Sequence, residues 1–231
     1  MDYSTIEVVS PKGRPASLRY RSGTSDLATI GSTWELWGKL EDEYGLGALP
    51  ELSGNAIDIG AHIGSITFAL LADHPDLTVT AVEPLTDNCE VIEETARANG
   101  WTDRLTLLHG GIAKGKTTDI AFNFAGDDYL ANHRFIGGMV LGTTVAHQTE
   151  TVPAYRLSDI IGDGAPFLKV DCEGCEWALL DDPAVSKVER IVGEGHPKDW
   201  LKRVHKLLDA THDVEVISDR GGPGTFRAVR K

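Results

Sequence analysis

The chain has 231 residues, 41% of them hydrophobic, which fits a single α/β domain with its own core across residues 1–231. Its formal net charge of −13 disfavours a nucleic-acid partner, because binding to a phosphate backbone depends on Lys and Arg. No apolar run approaches the roughly 20 residues of a membrane span, and the chain starts with a polar segment, so we expect no membrane association. Three cysteines are too few for a disulfide framework, which favours the cytoplasm.

The first fifty residues predict an N-terminal extension made of a hairpin and a helix. The runs IEVVS (6–10) and ASLRYR (16–21) flank a turn that contains Pro and Gly, a pattern typical of a β-hairpin. The segment 32–45 has helix-capping residues at its start, apolar residues within it and a glycine at its end, which predicts a helix. We expect Trp34 and Trp37 of this helix to be core residues.

From residue 55 the chain alternates between short apolar runs and helical patterns. This alternation predicts βαβ units and a mostly parallel sheet covered on both faces. The last two runs are separated by DRGGPG (219–224), which predicts a terminal antiparallel hairpin. The predicted strands are 55–60, 77–84, 105–113, 151–155, 167–171, 188–197, 213–218 and 225–230, and the predicted helices are 65–75, 86–100, 157–162, 176–182 and about 198–210.

The segment 125–150 interrupts this alternation. It is rich in glycine, weakly periodic and too long for an ordinary connection between two elements. Loops of this length inside a domain are often lids or binding loops. We therefore predict a substrate lid inserted at this point.

The stretch AIDIGAHIGSITFALL places Gly60 and Gly64 between a predicted strand and a predicted helix. Small residues there let a ligand approach the backbone and the amino end of the helix. The G-x-G-x-x-G pattern of a NAD site is absent, because His62 stands at the position of its second glycine. Asp58 instead resembles the pattern of S-adenosylmethionine (SAM) sites, where a carboxylate lies near the amino acid moiety. Glu83 ends the next predicted strand, where it can accept hydrogen bonds from both ribose hydroxyls.

Together these residues resemble the FkbM family of SAM-dependent methyltransferases. The resemblance spans roughly residues 20–200 and rests on IDIGAHIGSIT, AVEP, YRLSDII, FLKVDCEGCEW and GEGHP. It implies the class I methyltransferase fold, a Rossmann-like sheet of seven mostly parallel strands with an antiparallel last strand. It also implies methyl transfer from SAM to a hydroxyl of a small molecule, sugar or natural product. The family usually has Asn at the position of His62, and small apolar residues at Cys172 and Cys175.

The expected cofactor contacts follow the strand ends and the glycine turn. The edge after the third strand, at HGGIA (109–113), faces the adenine ring in a SAM site. The full set is Asp58, Gly60, Ala61, His62, Gly64, Glu83, Pro84, Gly111, Ile112 and Asp171.

Three chemically active residues lie at the ends of two neighbouring predicted strands: Asp171 ends one strand, Glu194 lies at the corresponding end of the next, and His196 follows Glu194. Because ligands bind beyond the carboxyl ends of parallel strands, these residues can converge over the methyl group. Two arrangements are open. Either Asp171 or His196 is the general base, with Glu194 orienting the acceptor hydroxyl. Or Asp171, Glu194 and Glu173 bind Mg²⁺ or a similar cation, which lowers the pKa of the hydroxyl.

The C-x-x-C of Cys172 and Cys175 is the other conspicuous feature of this region. A zinc site usually needs about four ligands, and Cys89 is distant in the sequence. We therefore predict that both cysteines are packing residues. Glu176 is best explained as an acid at a helix amino end.

Two other functions compete with the methylation of a small molecule. One is methylation of nucleic acid or protein, and the negative net charge disfavours the nucleic acid. The other is a SAM-fold binding protein without catalysis. The acceptor, its reacting position and the oligomeric state are not determined by the sequence.

Overall fold

The computed structural model describes residues 2–114, 116–123, 147–172, 174–196, 199–219 and 224–231. Its strands are β1 Tyr3–Val9, β2 Pro15–Arg21, β3 Gly54–Ile59, β4 Leu77–Glu83, β5 Leu105–His109, β6 Gly111–Ile112, β7 Thr117–Asn123, β8 His147–Tyr155, β9 Leu168–Val170, β10 Arg190–Gly195, β11 His212–Asp219 and β12 Gly224–Arg230. Its α-helices are α1 Asp26–Gly31, α2 Ser65–Asp73, α3 Thr86–Ala98, α4 Leu157–Ile160, α5 Glu176–Leu180 and α6 Trp200–Leu208.

A seven-stranded sheet in the order β11-β12-β10-β9-β3-β4-β5 forms the centre of the fold. The pairs from β10 to β5 are parallel, and β12 runs antiparallel to both of its neighbours. The central strands are apolar because both faces are covered: one buried cluster includes residues of α1, α2 and α3, and the other includes residues of α4, α5 and α6. The predicted mixed α/β fold with an antiparallel last strand is confirmed.

The N-terminal extension agrees with the prediction only in its hairpin. β1 and β2 pair in antiparallel register, but the helix predicted at 32–45 is absent, and the only α-helix described in this extension is α1. In its place, Leu36 and Lys39 exchange two backbone hydrogen bonds of 2.9 and 3.0 Å. The turn between them holds Trp37 at φ 52° and Gly38 at φ 78°. Two consecutive residues in the left-handed region exclude an α-helix there.

The two tryptophans of this segment have opposite environments. Trp34 is fully buried and its indole Nε1 donates to the backbone oxygen of Ser65, 3.0 Å away at the start of α2. Trp37 is 83% exposed, so its predicted place in the core is wrong. The segment therefore buries Trp34 against α2 and exposes Trp37 in a turn, and it does not form the amphipathic helix that its pattern predicts.

A second, three-stranded sheet in the order β6-β8-β7 flanks the predicted lid. β7 and β8 are antiparallel and pair Asn123 with His147. The sequence did not predict β7, and it predicted only the last part of β8. Most of the segment 125–150 lies outside the described residues, so the lid stays a prediction. In the part of the chain that the structure describes, no helix has the length and apolarity to cross a membrane.

Candidate active site

The glycine turn after β3 lies against the backbone that follows β9. Gly60 has φ +73°, and a Cβ built on it would lie 1.9 Å from the backbone oxygen of Asp171 and 3.1 Å from Cys172 Cα. The backbone N–H of Gly60 donates to Val82 in β4, at 3.0 Å. Only glycine fits this position, because both the backbone conformation and the space exclude a side chain.

His62, within the same turn, also adopts a left-handed backbone, with φ 54°. Asn and His are among the side chains that tolerate this region best, which explains how His62 can replace the usual Asn. Its backbone N–H donates to Glu83 Oε2 at 2.7 Å. The turn is completed by a hydrogen bond of 2.8 Å from the Gly64 N–H to the backbone oxygen of Ala61. The glycine turn and the end of β4 are thus joined directly.

Glu83 ends β4 and is 4% exposed. Its Oε1 accepts from the Leu85 N–H at 3.0 Å and from Asn88 Nδ2 at 2.9 Å, while its Oε2 accepts from the backbone of His62. Burial raises the pKa of Glu83 to about 7, although these three hydrogen bonds act in the opposite direction. The carboxylate is therefore poised to change its charge near neutral pH.

The surroundings of Glu83 fit the ribose of a bound SAM. Among the described residues, the buried Oδ1 of Asn88 has no hydrogen-bond partner. Oε2 of Glu83 accepts one hydrogen bond and so keeps a second lone pair. Two acceptors are thus adjacent, and a ribose offers two hydroxyl donors. The sequence reasoning missed Asn88, although an amide one turn into the helix after Glu83 was a usable signal.

Asp58 lies beneath the glycine turn and is fully buried. Its Oδ2 accepts from Thr67 Oγ1 at 2.7 Å, and its Oδ1 lies 3.4 Å from Lys169 Nζ. The ammonium of Lys169 also donates to the backbone oxygen of Gly60 at 2.6 Å. Burial lowers the pKa of Lys169, but Asp58 and Asp171 outweigh this effect and raise it. Asp58 therefore supports the turn through Lys169, and its contact with the amino acid moiety of SAM stays a prediction.

The edge predicted to face the adenine ring lies beside Glu83. His109 Nε2 donates to the backbone oxygen of Pro84 at 2.9 Å, and the Gly110 N–H donates to the Glu83 backbone oxygen at 3.0 Å. Gly111 and Ile112 are buried and pair with β8. The predicted residues of the second and third strand ends are thus brought together at one edge.

Asp171 is held by a tyrosine from the N-terminal extension. Tyr44 donates its hydroxyl to Asp171 Oδ2 at 3.1 Å. Burial raises the pKa of Tyr44 well above its ordinary value, and the negative charge of Asp171 raises it further, so the phenol keeps its proton. Sequence reasoning missed Tyr44, and at a sequence separation of 127 no local pattern could have paired it with Asp171.

A chain of three side chains lies at the carboxyl end of β10 and the start of α5. Glu176 is fully buried, and its Oε1 accepts from His196 Nδ1 at 3.0 Å and from the Gly174 N–H at 3.1 Å. His196 Nε2 lies 3.7 Å from Glu194 Oε2. Glu176 does begin α5, as predicted, but its side chain also contacts a candidate catalytic residue. The explanation as a helix-end acid alone is therefore incomplete.

The prediction for the C-x-x-C was wrong. Cys172 and Cys175 are buried as expected, but they form a disulfide. The turn before α5 brings their Cα atoms to 5.5 Å, which is within the range that a disulfide can bridge. Cys89, by contrast, is a buried free thiol whose pKa burial raises to about 12.

The predicted metal site of Asp171, Glu173 and Glu194 is not supported by the described residues. Among them, no group of three or more His, Cys, Asp or Glu side chains is arranged to hold a metal ion. Glu173, one of its three predicted ligands, lies outside the described residues.

Comparisons with known proteins agree with this fold. A ribosomal RNA small subunit methyltransferase C from Shewanella pealeana is 34% identical over 113 residues, covering 41% of this chain and 32% of that protein. The chain thus spans about a third of that relative's length. A precorrin-6y C5,15-methyltransferase structure from Geobacter metallireducens superposes with a TM-score of 0.52 at 14% identity, covering 85% of this chain and 92% of that chain. This likeness identifies the fold as that of class I methyltransferases.

A family model carries the assignment further than either relative. The model described as the methyltransferase FkbM domain matches residues 58–217, which include the glycine turn and the strand ends after β4, β9 and β10. The chain therefore belongs to the FkbM family of SAM-dependent methyltransferases.

Proposed function

We propose that this methyltransferase transfers the methyl group of SAM to a hydroxyl of a small molecule, a sugar or a natural product. The observation that carries the proposal is the position of Asp171, Glu194 and His196. Asp171 and His196 directly follow β9 and β10, Glu194 is the next-to-last residue of β10, and Asp171 touches the glycine turn. An acceptor hydroxyl there would meet proton-accepting groups next to the predicted cofactor site.

The residues of the chain position the cofactor and the acceptor, and one of them accepts the proton of the acceptor hydroxyl. When bound, SAM would supply a methyl group on a cationic sulfur; the acceptor oxygen would take the methyl group, and the electrons of the broken S–C bond would go to sulfur. Glu83 and the glycine turn would hold the ribose side of the bound cofactor. The proton of the acceptor hydroxyl passes to His196 or Asp171, while Glu194 orients the hydroxyl.

A metal-assisted version of the same reaction competes with this scheme. In it, Asp171, Glu173 and Glu194 hold Mg²⁺ or a similar cation. A chelator separates the two versions. The base mechanism requires unchanged turnover after treatment with EDTA, and a loss that added Mg²⁺ restores would replace it with the metal mechanism.

The acceptor class is the finer part of the proposal. The net charge of −13 supports a small acceptor over RNA, because an RNA substrate would be repelled. The similarity to an rRNA methyltransferase nevertheless makes RNA the acceptor to test beside it. A panel of hydroxylated natural products and sugars, together with ribosomal RNA and a protein mixture, covers both classes.

Two measurements in sequence test the proposal. Isothermal titration with S-adenosylhomocysteine measures cofactor binding, and no heat from a folded sample would overturn it. Transfer of label from methyl-labelled SAM to the panel then identifies the acceptor. Label in RNA or protein alone would overturn the small-molecule assignment, and binding with no transfer to any acceptor would favour a non-catalytic SAM-binding protein.

A further inference from the structure

We propose that Glu176 is a positioning residue that fixes the ring of His196, and that His196, and not Asp171, receives the proton of the acceptor. This inference rests on the proposed function and deepens it at the same site. It assigns separate tasks to two groups that the sequence left as alternatives. It also explains why the carboxylate of Glu176 is buried beside the candidate catalytic residues.

Glu176 is fully buried, in an environment where a carboxylate requires a partner. Its side chain has no exposed surface, and the Gly174 N–H donates to Oε1 at 3.1 Å. The other oxygen, Oε2, has no hydrogen-bond partner among the described residues. A buried carboxylate is costly unless it is paired, and the group that pairs with it is the ring of His196, with Nδ1 at 3.0 Å.

This contact sets which nitrogen of His196 can act as the base. A carboxylate accepts, so Nδ1 must carry the hydrogen, and in the neutral ring Nε2 then holds the lone pair. Nε2 is 3.7 Å from Glu194 Oε2, which is longer than a good hydrogen bond. The side chain of His196 is 19% exposed, so an acceptor molecule from solvent can reach the ring. An acceptor hydroxyl can thus meet Nε2 with Glu194 beside it.

The charges around the ring favour the state that follows proton transfer. Glu176 approaches from α5 and Glu194 from β10, so a carboxylate lies near each ring nitrogen. Both stabilise the imidazolium that forms when Nε2 accepts a proton. Asp171, in contrast, already accepts the hydroxyl of Tyr44. An imidazole is also the stronger base, because the ordinary pKa of its protonated form is higher than that of a carboxylic acid.

The tautomer of the His196 ring is the direct measurement. If Glu176 had only a structural role, it would not determine which ring nitrogen carries the hydrogen. The variants are Glu176→Ala and Glu176→Gln, with Glu189→Gln as the control on an exposed residue of the same charge. The ¹⁵N NMR signals of the ring are assigned by their loss in His196→Gln. The spectra are recorded at a pH high enough for the ring to be neutral. We expect the Nδ1–H form in the wild type, in the control and in Glu176→Gln, whose amide oxygen can still accept. We expect a shift towards the Nε2–H form in Glu176→Ala.

Kinetics with the acceptor found in the panel complete the test. Glu176→Ala should lower kcat roughly 100-fold, within the range of general-base catalysis, with KM for SAM within about 2-fold. Glu176→Gln should lie between this variant and the wild type, because it keeps the tautomer but loses the charge. An unchanged tautomer or kcat in Glu176→Ala overturns the proposal. If Glu176→Ala does not fold, a full wild-type kcat in Glu176→Gln overturns the charge argument instead.

The failure of this inference is distinguishable from the failure of the proposed function. S-adenosylhomocysteine should bind all three variants and the wild type with the same affinity, because none of the changed residues belongs to the predicted cofactor site. Absence of binding to the wild type would refute the function itself. Normal binding with a tautomer insensitive to Glu176 would refute only the positioning role.

Discussion

Gly60 offers a sharp test of the site, because the chain contains a glycine that matches it in backbone conformation but not in packing. Gly60 has φ +73° and Gly100 has φ +70°. A Cβ on Gly60 would lie 1.9 Å from the backbone oxygen of Asp171, whereas a Cβ on Gly100 would meet no atom within 4 Å. Gly60→Ala and Gly100→Ala therefore carry the same backbone penalty and differ in the clash alone.

The expected losses of unfolding free energy follow from the backbone penalty and from the clash. A left-handed backbone costs a non-glycine residue about 1–2 kcal/mol, so Gly100→Ala should lose that much free energy of unfolding. Gly60→Ala should lose this and about 1–3 kcal/mol more, because the turn and the segment at Asp171 must move apart. The same displacement should weaken binding of S-adenosylhomocysteine in Gly60→Ala and leave it unchanged in Gly100→Ala.

Urea unfolding of both variants measures the stability change, and titration with S-adenosylhomocysteine measures the cofactor site. The comparison requires an unchanged slope of unfolding free energy against urea, so that the midpoint alone reports stability. Equal losses of stability in the two variants would refute the close packing of Gly60 on Asp171. Wild-type affinity in a destabilised Gly60→Ala would refute the place of the turn in the cofactor site.

Two further predictions concern the pH response and the cysteines. Because the folded pKa of Glu83 is about 7 and its ordinary value is 4.5, the folded protein binds more protons between these values. Its free energy of unfolding should therefore fall by up to about 3 kcal/mol as pH rises through this window, and cofactor affinity should rise as the carboxylate forms. Glu83→Gln should remove both trends, and a titration that keeps them points to another group. Alkylation in denaturant should label only Cys89 before treatment with dithiothreitol and also Cys172 and Cys175 after it; three labels without reductant would contradict the disulfide.

The sequence was most informative where neighbouring residues alone decide the structure. The alternation of apolar strands with helices is a local pattern, and the order of β3, α2, β4 and α3 followed from it. The ends of β3, β4 and β9 followed to within one residue, so Asp171 and Glu83 could be assigned to one edge of the sheet. The segment 32–45 failed for the opposite reason. Its helix-like pattern was overridden by the anchor of Trp34 on Ser65.

The sequence by itself determined the class of fold, the family and the residues at the strand ends, because period, turn chemistry and motif spacing are properties of short stretches. Only the tertiary structure decided how those residues are connected. Tyr44 meets Asp171 across 127 positions, and Glu176 meets His196 across 20. Such contacts depend on how helices and loops pack over the sheet, and no local pattern encodes that. The same packing turned a carboxylate at a helix end into a partner for a candidate base.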